Sequence, residues 1–160
     1  MIERKRVAVT GLGAVTPIGI GKENFWNALI AGQNGIGKIT SFDDAQVSVQ
    51  IAGEVQDFDP AQFIDKKELK RMDRYTHFAL AATKLAIEDA GLDLEQIDGD
   101  RAGVFIGSGI GGMETLHNQY EKLFTKGASR ISPFFIPMMI ANMAAGNVAI
   151  AFKLRGPSGC

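Results

Sequence analysis

Residues 131–160 constrain the fold more than any other part of the chain. They read ISPFFIPMMIANMAAGNVAIAFKLRGPSGC. Pro133 and Pro137 bracket Phe134, Phe135 and Ile136, and after Pro137 the sequence is almost entirely apolar. Proline suits the first turn of a helix, where its missing N–H costs nothing, so the pattern predicts a helix over residues 137–152. Met138, Met139, Ile140, Met143, Ala144, Ala145, Val148, Ala149 and Ile150 fall all round that helix. A helix apolar on every side is buried or lies in an interface. Asn142, Gly146 and Asn147 interrupt it, and it falls short of the ~20 apolar residues of a membrane span. The rest of the chain is expected to pack around it, with residues 153–158 as a turn-rich exit.

The 160 residues suit one domain, taken as residues 1–160. With 46% apolar and 22% charged residues the chain is globular rather than disordered. A net charge of −1 gives no global attraction to nucleic acid or to an anionic membrane, so neither is expected as a partner. The single cysteine, Cys160, excludes an internal disulfide and suits a reducing, cytoplasmic setting. The N-terminal run MIERKRVAVTGLG has no apolar h-region or cleavage site, so no signal peptide is expected.

Residues 6–10 (RVAVT) read as a buried strand ended by glycines, and residues 16–19 as a loop. Phe25, Trp26, Leu29 and Ile30 form the stripe of a helix over 22–31, closed by Gly32. Residues 33–44 read as loop. Residues 47–55 alternate Val47, Val49 and Ile51 with smaller or polar residues, the period of a half-buried strand. A turn with Pro60 covers 57–63. Residues 73–90 predict a long amphipathic helix with Phe78, Ala81, Ala82, Leu85, Ala86 and Asp89 near one side and Gly91 at its end. A strand at 102–107, apolar on both faces, precedes a helix over 113–125. Strands alternating with long helices give an α/β fold with a mainly parallel, mixed sheet covered by helices.

The run GSGIGG at 107–112 puts Gly107, Gly109 and Gly112 in a G-x-G-x-x-G pattern between strand and helix, the context of a dinucleotide site. It follows the third strand rather than the first, and no acid stands ~20 residues on to hold a ribose. We favour a turn that serves close packing, and keep a nucleotide-binding α/β domain as an alternative. Cys160 has no neighbouring base to activate it. His77 and His117 stand alone on predicted helices and read as surface or partly packed residues. No metal-ligand spacing occurs, and no cofactor is expected. Residues 66–74 (KKELKRMDR) carry five cations and two anions, a local +3. This is either a solvated helix face or a docking site for an acidic partner.

Five stretches carry a resemblance: VTGLGAVTPIG (9–19), FWNALIAGQNGI (25–36), IGSGIGG (106–112), ISPFFIPMMIANM (131–143) and LRGPS (154–158). Over residues 7–158 the chain resembles the N-terminal portion of the β-ketoacyl-acyl-carrier-protein synthase II family, elongating condensing enzymes of type II fatty acid synthesis. The resemblance implies the N-terminal half of a thiolase-like fold and a homodimer. It also implies transferase chemistry in which an acyl group passes to a cysteine and the carbanion of decarboxylated malonyl-carrier protein attacks the thioester. Ile110 matches a position lining the acyl pocket, and Phe135 and Ile136 match pocket residues at the dimer interface. Lys67, Lys70 and Arg71 match the patch on which acyl carrier protein docks. Cys160 falls too early to match the nucleophile, and the catalytic histidines of the family lie beyond residue 160. The 160 residues are therefore expected to stop short of the nucleophile, to be inactive alone, and to need a second subunit or the remaining half as partner. A non-catalytic synthase-like subunit of a polyketide system is the other reading within this fold.

Overall fold

The computed structural model describes residues 5–43 and 46–160. Residues 1–4 of the expected domain, and Asp44 at the end of the expected loop, lie outside the described residues. The chain clusters into two compact units. One is formed by residues up to Phe58 with Lys84–Leu92, the other by Asp59–Thr83 with Asp93–Cys160.

In the first unit, β1 (Val15–Thr16) and β2 (Gly19–Ile20) pair antiparallel around Pro17 and Ile18. What reads as a loop is thus a tight hairpin. The Thr16 hydroxyl holds it, donating to the Gly19 carbonyl at 2.9 Å and accepting from the Ile18 N–H at 3.3 Å. Helix α1 (Lys22–Ile30) follows and ends, as expected, at Gly32, whose φ is 68°. Its apolar stripe does not become core: Trp26 and Ile30 are exposed and Ala28 is the residue it buries. A second antiparallel pair joins β3 (Gly37–Lys38), inside the expected loop, to β4 (Ile51–Ala52). The strand expected over 47–55 shrinks to β4 because β3 offers it only a two-residue partner, and Val49 and Ile51 face solvent. Beyond the pair, the Glu54 carboxylate accepts from the Thr40 N–H at 2.9 Å, the Thr40 hydroxyl at 2.7 Å and the Ser41 N–H at 3.0 Å. Hydrogen bonds from Ser41 and Thr40 lower its pKa to about 2.

The strand expected over 6–10 does not form. Residues 5–14 join no ladder, and Val7 and Val9 are 94% and 80% exposed. A strand needs a neighbour to satisfy its N–H and C=O groups, and no described segment pairs with this one. Among the described residues the run is pinned at its end. Gly11 lies flat on residues 86–90, where a Cβ would fall 2.1 Å from the Ala86 carbonyl oxygen. The Leu12 N–H donates to Asp89 at 2.9 Å, and Asp89 also pairs with Lys22.

The second unit opens with a 3-10 turn at Pro60–Gln62, capped by Asp59, and a short helix α2 (Lys66–Leu69), capped by Asp65. Helix α3 (Arg74–Asp89), which belongs to this unit as far as Thr83, is the long helix predicted over 73–90, closed by Gly91 at φ 59°. It buries Thr76, Leu80 and Ala81, so of the expected stripe only Ala81 is fully covered. Strand β5 (Val104–Phe105) pairs in parallel with β6 (Ser158–Gly159), which makes the turn-rich exit a hydrogen-bonded neighbour of the third predicted strand. One face of β5 is covered and the other open: Val104 is 8% exposed and Phe105 76%. Helix α4 (Met113–Lys126) matches the helix expected over 113–125. The α/β character expected from the sequence is present, among the described residues, as helices with three two-stranded pairs, of which this one is parallel.

The helix expected over 137–152 is two helices, α5 (Phe135–Met139) and α6 (Met143–Ala151). Ile140 between them is extended, with φ −69° and ψ 134°. Its carbonyl accepts the Tyr75 hydroxyl at 2.7 Å and the Met143 N–H at 3.1 Å. The break is thus held by a side chain of α3, which no local pattern reveals. Helix α6 supplies the centre of this unit. Ala145 and Val148, 0% and 1% exposed, cluster with Leu80 and Val104, flanked by Ile64, Met72, Ile106, Phe152 and Leu154. Burying a side chain the size of Leu80 or Val148 contributes about 1.5–3 kcal/mol.

Asp73, 6% exposed, ties two helices into this unit. Its Oδ1 accepts from the Tyr75 N–H at 3.4 Å and its Oδ2 from the Thr115 N–H at 2.7 Å. One carboxylate therefore caps both α3, which it precedes, and α4, whose own cap position is Gly112 with no side chain to offer. Substituting Asp73→Ala should lower stability by about 1–3 kcal/mol, the cost of stranding buried donors. Asp98→Ala, at an exposed cap, should cost ~1 kcal/mol or less. Urea denaturation of both variants measures this, and equal losses would remove Asp73 from its special role.

His77 gives a second expectation. Its Nε2 donates to the Leu69 carbonyl at 3.2 Å, joining α3 to α2. Burial lowers its pKa from the ordinary 6.5, and the Leu69 carbonyl opposes this only partly. A folded-state value below the unfolded one means that the contribution is complete above pH 6.5 and is lost as pH falls through the folded value. Urea midpoints above and below pH 6.5 should fall more steeply for the parent than for His77→Gln, which keeps a donor but does not titrate. Parallel slopes would count against it.

Candidate functional site

The glycine run at 107–112 links β5 to α4 and lies against the C-terminal end of α5. The Gly112 N–H donates to the Met139 carbonyl at 2.8 Å. Gly111 has φ 86°, and a Cβ there would fall 2.4 Å from the Met139 carbonyl oxygen. Both the backbone conformation and the space demand glycine. The packing turn read from the sequence is therefore what forms. The nucleotide alternative needs free N–H groups at the start of α4. There the Thr115 N–H is taken by Asp73, and a Cβ on Gly112 would lie 2.9 Å from the same carboxylate. A buried carboxylate occupies the place a phosphate would need, and like charges repel.

This contact brings together the segments that carry Ile110, Phe135 and Ile136. Ile110 projects from the glycine run and is 70% exposed, Ile136 on α5 is 53% exposed, and Phe135 is half-buried. The cavities of about 550 Å³ and 260 Å³ are lined by none of the three. They offer an apolar surface rather than an enclosed pocket.

In the basic segment, Asp65 caps α2 through the Lys67 N–H at 3.1 Å. Lys67, Lys70 and Arg71 are all exposed. Arg71 pairs with Glu68 at 3.5 Å, and its guanidinium sits 5.3 Å from the centroid of the Phe134 ring. Such a contact is worth about 0.5–1 kcal/mol at an exposed site. It places the basic segment beside the residue that precedes α5. Sequence reasoning finds Arg71 and Phe134 separately and misses their contact, because nothing in either stretch points to the other. It also misses Asp73, although an Asp just before an amphipathic helix is a cap signal.

Cys160 is a free, exposed thiol at the end of β6, and His117 is exposed on α4. Among the described residues no three His, Cys, Asp or Glu side chains gather in a way that could hold a metal ion. No helix among them is long and apolar enough to cross a membrane.

Comparison with known proteins gives one consistent result. The family model described as Beta-ketoacyl synthase, N-terminal domain, matches residues 4–160. The chain is 53% identical over 159 residues to 3-oxoacyl-[acyl-carrier-protein] synthase 2 of Synechocystis sp., covering 99% of this chain and 38% of that one. It is 48% identical over the same length, with the same coverage, to the Staphylococcus aureus protein of that name. The chain thus spans 38% of the length of these curated relatives. Among solved structures, the ishigamide ketosynthase/chain length factor aligns with a TM-score of 0.88 at 28% identity, over 98% of this chain and 39% of that one. A beta-ketoacyl synthase from Burkholderia phymatum aligns with a TM-score of 0.78 at 28% identity, over 96% and 38%.

Proposed function

Because the chain belongs to the β-ketoacyl synthase family through its N-terminal domain, we propose that it serves as that domain in a 3-oxoacyl-[acyl-carrier-protein] synthase of type II fatty acid synthesis. The observation that carries this reading is the 53% identity over 159 residues to a protein of that name. The polyketide reading has weaker support, a structural likeness at 28% identity to a ketosynthase/chain length factor.

The condensing reaction joins an acyl thioester to malonyl-carrier protein. Loss of CO₂ leaves an electron pair on carbon, that carbon bonds to the acyl carbonyl, and the enzyme's thiolate departs. The residues of this chain contribute binding to that sequence. Ile110, Phe135 and Ile136 form one wall of the acyl pocket, and Lys67, Lys70 and Arg71 form the docking patch for acyl carrier protein. Residues 1–160 act as the N-terminal thiolase-like domain, in the cytoplasm and within a homodimer. Val7, Phe105, Phe124 and Ile136 all face solvent, and apolar surface of that kind is what a second subunit or the rest of a condensing enzyme covers. A lone exposed thiol without a paired base is a poor nucleophile. The 160-residue chain by itself should therefore form no β-ketoacyl product from acyl- and malonyl-carrier protein. Turnover that is lost in Cys160→Ala would overturn this.

Docking is tested by titrating acyl carrier protein against the parent and the triple variant Lys67→Glu, Lys70→Glu, Arg71→Glu. Exposed charge pairs contribute roughly 0.2–1 kcal/mol each, and screening acts over about 8 Å at physiological ionic strength. Binding should be modest, fall with added salt, and be largely lost in the variant at low salt. Equal binding of both proteins at low salt, with helical content unchanged by circular dichroism, would return residues 66–74 to a solvated face.

A further inference from the structure

We propose that the cavity on α4 is a binding site for a small oxyanion, a carboxylate or phosphate group. The site is separate from the residues assigned to condensation, and the inference does not rest on that reading. The cavity has a volume of about 260 Å³, and Thr115, Gln119, Lys122, Lys126 and Met138 are among the residues that line it.

Gln119 carries the argument. It is 6% exposed, and its Oε1 accepts the Ser132 N–H at 2.8 Å, which pins the amide. Its NH₂ group has no partner among the described residues, although the residue lines the cavity. Thr115 is 5% exposed. Its N–H is taken by Asp73, and its hydroxyl is likewise unpartnered among the described residues. Buried polar groups are almost always satisfied, so two unpartnered ones on residues that line one cavity point to something that accepts hydrogen bonds there. Lys122 and Lys126, one turn apart on the same helix, make no ion pair among the described residues. Glu121 is the one acid in the lining, and the Asp73 carboxylate behind Thr115 is already held by the Thr115 and Tyr75 N–H groups, so Lys122 and Lys126 are the charges open to a ligand. A water occupies only ~30 Å³ of liquid volume and would leave the lysines unused. A ligand with a negative oxygen matches both the buried donors and the cationic rim.

The probes are inorganic phosphate and acetate, titrated separately into the ¹⁵N-labelled 160-residue chain at matched ionic strength. The readout is the Gln119 side-chain NH₂ signal. A saturable shift with either probe supports the site, and the probe that binds more tightly assigns it to a phosphate or a carboxylate. Gln119→Glu keeps an acceptor for the Ser132 N–H but replaces the donor with a repelling carboxylate oxygen. It should weaken binding at least about tenfold, the scale of one charge-assisted hydrogen bond. Thr115→Val and the pair Lys122→Ala, Lys126→Ala should each weaken it as well. No saturable shift with either probe would overturn the proposal, as would unchanged affinity in a folded Gln119→Glu variant. Should that variant fail to fold by circular dichroism, the Thr115 and lysine variants decide, and unchanged affinity in both overturns it.

Discussion

A single buried carboxylate organises the second unit. Asp73 accepts N–H groups from the first turns of α3 and α4. Removing a carboxylate from water is costly unless hydrogen bonds replace the lost hydration. Here donors from two helix starts replace it, and each helix start also favours negative charge. The glycine run depends on the same group, since Gly112 packs directly on it. That run in turn meets the end of α5, and the Tyr75 hydroxyl, two positions along from Asp73, reaches the Ile140 carbonyl at the break before α6. The residues proposed for acyl binding and for carrier docking thus sit on segments fixed from one short stretch of chain.

What could be read from the sequence was what local physics determines. Helices α1, α3 and α4 follow from periodicity, and the first two also from Gly32 and Gly91 at their ends. The all-round apolar character of residues 143–151 correctly marked a core element, with Ala144 and Ala145 fully buried. Elements that need a distant partner are not legible locally. Residues 6–10 have the composition of a strand but no neighbour, and residues 47–55 alternate correctly yet find only two partner residues. The break at Ile140 depends on Tyr75, and the role of Asp73 depends on Thr115. In the site, the residue types were legible, but the contact of Arg71 with Phe134 was not.

That contact gives the proposed docking and pocket segments a shared member. A guanidinium on an aromatic face keeps its charge available to solvent while its plane is held. Among the described residues Lys67 and Lys70 have no such contact, so the basic segment combines one oriented cation with two that can adapt. An acidic partner meeting it would find a fixed point at Arg71 and a diffuse field around it.

The composition of the first unit has a consequence for the order in which it forms. Its residues up to Phe58 are completed by Lys84–Leu92. Asp89 receives the Leu12 N–H across 77 positions of sequence and Lys22 across 67. A ribosome releases the N-terminal hairpin and α1 long before Asp89 is made, so during synthesis these pieces wait without the segment that closes them. Loop closure over such separations slows folding, and in that interval the Leu12 N–H and Lys22 stand without the carboxylate that will hold them, open to other contacts. The nascent chain is most vulnerable to wrong partners before α3 emerges, and its end marks the point at which the first unit can shut.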